Sequence, residues 1–554
     1  MNSFQQAIGA WTDVIGSEAV ITDRETTQMA QTATFATVQQ VPAIIRPADR
    51  FQVQKCMNIA RQFKQAVYVV SKGKNWGLGS RVPAKDRSIL MELDRLNRII
   101  DYDEKLGYLT VEPGVTFRQA SDFLRAKGSS LFLSVIGGHP ESSLVGNALE
   151  RGDGVGPFGE RISHACAMEV VLPNGECIHT GFDRFSGTKV SKLTRWGVGP
   201  CLDGLFSQSN LGIVTRMTFW LMAKPNHFQS FLLTAKDLGG LRDLSDALRE
   251  LQAQGVIRSN CLAIWNSHKM IASAQKYPWR LTSGRTPLPL GYLKKIKSPW
   301  GNSEWIGVGG LYSASNQHAK ADRRIVKTKL RGKVDRLIFF NESKSRFLKW
   351  AQRPLKRITG VDVEEVVRNL YSESIFLGYP TSRSTKSTYW RKKTALPKKM
   401  DPDRDRCGVI WLCPVVPFQG DHITRAIDIV IQTASEYTFE PHVAFISPSE
   451  RAVYMFPSIV YDREVQGEDE KAIACHDKMF RAMLTEGYFP YRLGIQSTEL
   501  IPPARDDFDT LVAQFKNVMD PDNILSPGRY VFNGNSHHEG TQVPFKIVNA
   551  PYGS

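Results

Sequence analysis

The sequence predicts an α+β protein built in two parts, and three observations carry that prediction. Strand and helix patterns alternate over residues 42–126, and further glycine-bearing stretches surround a hairpin pattern between 129 and 225. After Lys224-Pro225 the composition shifts to helices and basic clusters, with a return near residue 490 to a segment that resumes the first part. A chain of 554 residues is too long for one small core. With 42% apolar and 23% charged residues it has ordinary globular composition, away from the disordered class.

Each element has a local reason. "AIIRP" and "AVYVV" read as strands around "DRFQVQKCMNIARQFK", whose apolar residues recur at helical spacing. "SILMEL" and "GYLTVEPGV" are further strands, and "TFRQASDFLRAKG" is a helix with Thr116 as N-cap and Gly128 as its stop. "MEVVLPNGECIHTG" predicts a hairpin, with Asn174-Gly175 favouring a type I′ turn. "LVAQFKNVMDPDNILSPGRYVF" reads as a helix running into an Asp-Pro turn and a Ser-Pro-Gly loop. The stretch "SKGKNWGLGS" (71–80) follows a strand directly and opens no helix.

The formal charge of +16 concentrates in residues 322–336, 349–357 and 391–406. A solvated basic face explains any one cluster, while three together raise an acidic protein partner. Nucleic acid ranks lower, because zinc-finger spacing, basic-region heptads and aromatic RNA-binding signatures are missing. The eight cysteines are scattered without a CxxC pair and are expected to be reduced. No metal site is expected, His537 and His538 standing in a polar tail without further ligand types around them. The opening residues show no basic region leading into a continuous apolar run, and no stretch reaches the roughly 18 apolar residues of a membrane span, so a cytoplasmic location without membrane attachment is the expectation.

Successive small residues let backbone N–H groups converge on one concave spot, which is how a loop cradles a pyrophosphate. "GKNWGLG" is neither GxGxxG opening a helix nor GxxxxGK[ST], so the Rossmann fingerprint and the nucleotide-triphosphatase loop are both disfavoured. "SxGxNxGxG", "VEPGVT", "GNAxERGxGxxPxGxxxxH", "MEVVLPNGExxxTG", "GPxLDGLFSQSNLGIVTxMxxWLM" and "DPxNILSPGR" follow in order. This set resembles the family of vanillyl-alcohol oxidase and the p-cresol methylhydroxylase flavoprotein, over roughly 40–225 and again about 405–530, and loosely between. The resemblance implies an FAD-binding domain at 1–225, a substrate or cap domain at 226–490, and a C-terminal segment, 491–554, returning to the first. It implies FAD held by Ser71, Gly73, Lys74, Asn75, Gly77, Leu78 and Gly79 of the pyrophosphate loop, with glycines where a Cβ would block the approach. Pro113, Gly114, Val115, Gly146, Asn147, Arg151, Gly152, Gly212, Ile213 and Val214 fall on the family's other cofactor segments, and Arg529 stands where a basic residue is brought towards the flavin.

In that family a substrate carbon gives hydride to the flavin, and in its phenol-oxidising members a Tyr pair and an Arg hold the substrate as phenolate. A cation beside the phenolic oxygen lowers its pKa and stabilises developing charge. Tyr491 and Arg492 match one Tyr and the Arg; Arg suits the task because it stays charged when buried. Leu78 stands where the other Tyr belongs. The acidic residue beside the flavin is replaced by a glycine-bearing stretch, with His139 or Glu141 as substitute bases or simply a loop. Tyr454-Met455 replace a histidine pair, so Tyr454 either supplies the missing hydroxyl or packs. Leu78 and Trp411 are assigned to an apolar substrate wall. Val409 occupies the place of a covalently linked histidine, so FAD is expected to be non-covalent, with Cys407 and Cys413 as outside alternatives. The implied activity is hydride removal from a benzylic, allylic or heteroatom-adjacent carbon of an aromatic or heteroaromatic small molecule, with oxygen or an electron-accepting protein as re-oxidant and a homodimer as the usual assembly. Two alternatives stand beside it: a partner-dependent dehydrogenase docking an acidic cytochrome or carrier protein, and a non-catalytic flavin-binding protein.

Overall fold

The computed structural model describes residues 2–289, 292, 303–345, 368–501 and 507–530. The basic stretch 349–357 and the two tail histidines lie outside them. The N-terminal part holds a four-stranded sheet in the order Val20–Ile21, Ile44–Ile45, Ile89–Glu92, Val67–Val70, whose last three strands run parallel. The parallel strands need a crossover, and helix Arg50–Gln62 supplies it, capped by the Asp49 carboxylate on the amide of Gln52 (2.9 Å). Its buried face, Val53, Cys56, Met57 and Ala60, packs with Trp11 and Ile15 of helix Ser3–Ile15 and with Val67, Ile89 and Met91 of the sheet. Trp11 is completely buried and gives its indole N–H to the Cys56 carbonyl (3.1 Å), which removes the penalty of burying that donor.

A second, antiparallel sheet runs Ile99–Asp103, Tyr108–Val111, Ile213–Trp220, Ala165–Val171, Cys177–His179. Helix Phe117–Ala126 packs on it, with Thr116 Oγ1 accepting from Gln119 N (3.1 Å) and Gly128 at φ +63° after its end. The hairpin between the last two strands is present, but its turn is not type I′. Only Gly175 has positive φ (+83°), and Leu172 N bonds Glu176 O (2.8 Å) while Gly175 N bonds Leu172 O (2.9 Å). Pro173 pre-sets a type I turn, and Gly175 forms the left-handed bulge that closes a three-residue loop.

The later part is a seven-stranded sheet in the order Arg336–Phe340, His227–Ala235, Trp305–Ser313, Leu262–Asn266, Ala444–Ile446, Ala452–Met455, Val415–Pro417, with every neighbouring pair antiparallel. Helix Gly420–Glu436 packs with helices Leu238–Ala253 and Glu468–Thr485 around one large apolar core. A separate two-stranded ribbon, Cys407–Trp411 with Ser458–Asp462, joins this part to the first: Val409 N bonds Thr34 O (3.0 Å) and Trp411 N bonds Gly77 O (3.0 Å). The chain end meets the first sheet where Val67 N bonds Ile524 O (2.8 Å) and Ser526 N bonds Val67 O (2.7 Å).

The basic clusters separate in the fold. Arg323, Arg324 and Lys327 lie partly or fully open to solvent on helix Asn316–Lys329. Arg391 and Lys392 do not: each is buried, Arg391 against Glu440 (2.6 Å) and Glu468 (3.2 Å), Lys392 against Asp462 (2.9 Å) and Glu464 (2.6 Å). The start of the 391–406 cluster is therefore internal ion pairing and no docking face. Among the described residues no helix is long and apolar enough to cross a membrane.

Candidate active site

The loop 71–80 opens the helix-free connection between the parallel strands Val67–Val70 and Ile89–Glu92, and Gly73, Gly77 and Gly79 all adopt positive φ. The protein's own packing accounts for two of them. A Cβ on Gly77 would overlap the Trp411 indole, and one on Gly79 would sit 2.7 Å from Ile495 Cγ1. Thr34 ties the loop down by accepting Gly77 N on its hydroxyl (2.8 Å) and donating to Val409 O (2.8 Å). Asp403 clamps it from the other side, taking the Trp76 indole N–H (3.0 Å) and the Ser80 hydroxyl (2.7 Å). Burial pushes the Asp403 carboxyl up to about 7.

With residues 76–80 pinned from both sides, the amides of Gly73, Lys74, Asn75 and Trp76 have no hydrogen-bond partner among the described residues. Two neighbouring segments close on them. Ser143 caps helix Leu144–Leu149 on Gly146 N (2.8 Å) and donates to Pro113 O (2.6 Å), so the Pro113-Gly114-Val115 turn and Gly146 are joined. Gly146 also faces Ser71, whose hydroxyl would lie 2.9 Å from an added Cβ, and Gly114 lies against the carbonyls of Asp94 and Leu96. Ile213 and Val214 are buried strand residues, and Gly212 gives Val170 and Phe206 room.

The second half of the site comes from the later part of the chain. Tyr491 N bonds Cys413 O (3.0 Å), placing Tyr491 and Arg492 beside the loop, and Arg492 donates to Asn75 Oδ1 (2.8 Å). Arg492 Nε is buried without a partner. Tyr491 stacks on Tyr454, ring centroids 4.3 Å apart and planes within 9°. Phe456 meets Tyr491 edge-on at 6.3 Å and Trp411 at 6.4 Å, continuing one aromatic wall. Burial lifts Tyr454 to about 12 and Tyr491 well above its ordinary value despite Arg492, so both hydroxyls are donors at neutral pH. Leu78 is buried, its carbonyl accepting Ile495 N (3.2 Å).

Two charged residues complete the site that the sequence patterns left as variable positions. Arg161 is buried and binds Gly152 O (2.8 Å), Ser134 Oγ (3.2 Å) and Asn147 Oδ1 (3.0 Å), which organises the 147–161 loop. Asp153 keeps one carboxylate oxygen on Gly154 N (2.8 Å) and the other buried without a partner. Burial pushes Asp153 up to about 7 and Arg161 down to about 10, and the Asp153 charge acts on both Tyr491 and Tyr454. Neither residue type signals its burial in sequence.

Other assignments are repositioned. His139 packs edge-on against Trp76 (5.3 Å), and burial plus Lys74 keep it below its ordinary pKa. Glu141 is engaged with Arg118 and accepts nothing from the site. Arg151 is held by the Ser207 hydroxyl (3.1 Å). Arg529 is buried in an ion pair with Glu150 (2.7 Å), which Tyr530 shares (2.8 Å). Val409 is fully buried in the core with Trp390 and Val460.

A profile described as an FAD binding domain matches residues 41–181. The chain is 45% identical over 95% of its length, and 97% of the relative's, to 1'-carboxy-chondrochloren decarboxylase of Chondromyces crocatus. It is 27% identical over 86% of its length, and 85% of the relative's, to the 4-cresol dehydrogenase [hydroxylating] flavoprotein subunit of Pseudomonas putida. Its structure superposes on substrate-bound p-cresol methylhydroxylase with a TM-score of 0.84 at 25% identity, covering 97% of this chain and 98% of the other. The chain belongs to the vanillyl-alcohol oxidase/p-cresol methylhydroxylase family of FAD-linked enzymes.

Membership of the vanillyl-alcohol oxidase/p-cresol methylhydroxylase family makes the protein an FAD-linked oxidoreductase. The unpartnered amides of residues 73–76, opposite the N-terminal turn of helix Leu144–Leu149, fit the pyrophosphate of that cofactor. The cysteines are poorly suited to attach it. Burial lifts Cys413 to about 11 and Cys407 further still, so neither is a thiolate at neutral pH.

Proposed function

We propose that this enzyme oxidises a para-substituted phenol at its benzylic carbon and couples that oxidation to loss of a neighbouring carboxylate as CO2. The observation that carries the proposal is the pairing of Tyr491, stacked on Tyr454, with a buried Arg492 whose Nε has no partner. Such a constellation favours a phenolate, since two neutral donors stand close to a fixed cation. The decarboxylation half rests on the 45% identity to a carboxy-compound decarboxylase over nearly the full length of both chains.

Bound FAD supplies a two-electron hydride acceptor, held non-covalently on the 71–80 loop. Asp153, with a carboxyl near neutrality and one free oxygen, takes the phenolic proton, and Arg492 holds the resulting oxyanion. Loss of hydride from the benzylic carbon leaves a neutral quinone methide. Where the next carbon carries a carboxylate, its C–C bond breaks, CO2 departs, and the released electron pair forms the alkene and returns the ring to phenolate. Trp411, Phe456 and Leu78 line the apolar side and limit water.

The test is anaerobic mixing of the holoenzyme with 3-(4-hydroxyphenyl)propanoate and, separately, 4-ethylphenol. Flavin bleaching with both, and CO2 only with the acid, is the expected result. A flavin that stays oxidised with every phenol offered defeats the proposal and leaves the non-catalytic reading. A second reading, a dehydrogenase re-oxidised by an acidic protein, is favoured by the open basic residues Arg323, Arg324 and Lys327. It requires turnover with an acidic cytochrome to fall as ionic strength rises; salt-insensitive turnover with oxygen removes it.

A further inference from the structure

Behind Trp411 lies a group of buried donors that the chemistry above leaves unused. Lys269 is only 4% exposed, and its ammonium meets Ser458 Oγ (3.1 Å) and the face of Trp411 (4.4 Å). No carboxylate pairs with it among the described residues. Glu440, which lies in the same region, is committed to Arg391 and to the amide of Leu288 (3.0 Å). Lys269 sits in the first turn of helix Ser267–Ala274, where the helix dipole is itself positive. His442 is 1% exposed with both ring nitrogens unpartnered, and its backbone is tied to Ser458, whose amide bonds His442 O (3.0 Å). Trp390 stands edge-on to His442 (5.1 Å), also 1% exposed, with an unpartnered indole N–H.

A lysine without a carboxylate, an imidazole and an indole N–H in one buried place is an arrangement that lacks only its anion. Most buried donors in folded proteins have a partner, and a buried ammonium without a carboxylate is the costliest exception. Desolvation lowers Lys269 to about 7, which is what an ammonium without a counter-ion undergoes. The place is continuous with the site: Trp411 and Ser458 are cross-strand partners, Trp411 touches Gly77 of the cofactor loop, and Phe456 links Trp411 to Tyr491.

We infer that Lys269, with His442 and Trp390, seats the carboxylate of the substrate at the opposite end of the Trp411–Phe456–Tyr491 wall from the phenol. This rests on the reading of a carboxylated phenol given above. Lys269 recognises charge, and the two ring donors supply directed hydrogen bonds to the second oxygen. The Trp411 indole, now lying over the ammonium, is what the incoming carboxylate lies beside or displaces.

The test compares wild-type holoenzyme with Lys269→Met, using apparent dissociation constants for 3-(4-hydroxyphenyl)propanoate and its carboxylate-free counterpart 4-ethylphenol, read from how the anaerobic rate of flavin bleaching saturates with concentration. The expected result is a loss of affinity on the order of 30-fold for the acid alone. Ligand-free Lys269→Met should melt at or above the wild-type temperature, because the substitution removes an unpaired buried charge. Equal changes for both ligands, an unchanged constant for the acid, or a lowered melting temperature with an unaltered acid-to-phenol ratio would make Lys269 a structural residue and overturn the inference. If neither phenol binds wild type, the phenol reading fails by itself. The seat is then tested directly by titrating acetate and following tryptophan fluorescence, since Trp390 and Trp411 border it. A saturable response that Lys269→Met abolishes upholds the anion seat, and no response in wild type refutes it.

Discussion

In the proposed chemistry, burial gives Arg492 and Asp153, two ordinary residue types, their roles. Arg492 is fixed by one hydrogen bond to Asn75 and keeps an unpartnered Nε, so Arg492→Ala should slow flavin reduction by about 10²-fold or more while FAD content stays intact. Unchanged reduction would remove Arg492 from the site. Asp153 is raised from 3.8 to about 7 by desolvation, so it is a base only above that pH. The reductive rate should therefore fall as pH drops through about 7, and Asp153→Asn should lower the rate and erase that limb of the profile. The linkage has a definite sign: the folded state holds the Asp153 proton up to about 7 while the unfolded chain releases it near 3.8, so the charged form weakens the fold increasingly between those values. Asp153→Asn should then raise the melting temperature at pH 8 and leave it unchanged at pH 3.

At the scale of elements, the 71–80 loop depends on its neighbours more than on its own turns. Gly77 is legible as a residue needing bare backbone, and the structure adds a packing reason the motif does not show: a Cβ there would overlap Trp411, more than three hundred positions later. Gly77→Ala should cost stability both through φ +80° and through that overlap, giving a lower melting temperature and loss of FAD on gel filtration. Asp403→Ala removes the acceptor for Trp76 and Ser80, leaving the buried Ser80 hydroxyl unmatched at a cost of about 1–3 kcal/mol and the half-buried Trp76 indole free to meet water. Its expected signature is weaker FAD retention with near-normal secondary structure. The hairpin at Leu172–Glu176 makes the same point in small: Asn-Gly announced a turn, and Pro173 chose its type by setting its own φ.

Across the whole molecule, the ribbon Cys407–Trp411 and the returning chain end join parts that are distant in sequence. Thr34, Gly77, Val409 and Trp411 meet there, as do Val67 and Ile524. A buried Arg391–Glu440 pair, joined by the partly exposed Glu468, holds the later part together, and Arg391→Met, which strands Glu440, should destabilise it by about 3–5 kcal/mol in denaturant unfolding. With Val409 buried in the core and both nearby thiols held protonated, acid precipitation should release the flavin entirely into the supernatant. Colour left in the pellet would show a covalent link.

The sequence by itself determined what local chemistry encodes: the strand-helix alternation, the cap at Thr116, the glycine loop and the ordered motifs that named the cofactor and the family. These depend on residues within a few positions of one another, where periodicity, capping and allowed φ are already decided. Only the tertiary structure decided which charges are internal. Arg391 and Lys392 read as surface basic residues until their acids, some fifty to seventy positions away, surrounded them. Asp153, Arg161 and Lys269 carried no local mark at all, because desolvation and the absence of a counter-ion are properties of the surroundings, and those surroundings are assembled from segments the sequence keeps far apart.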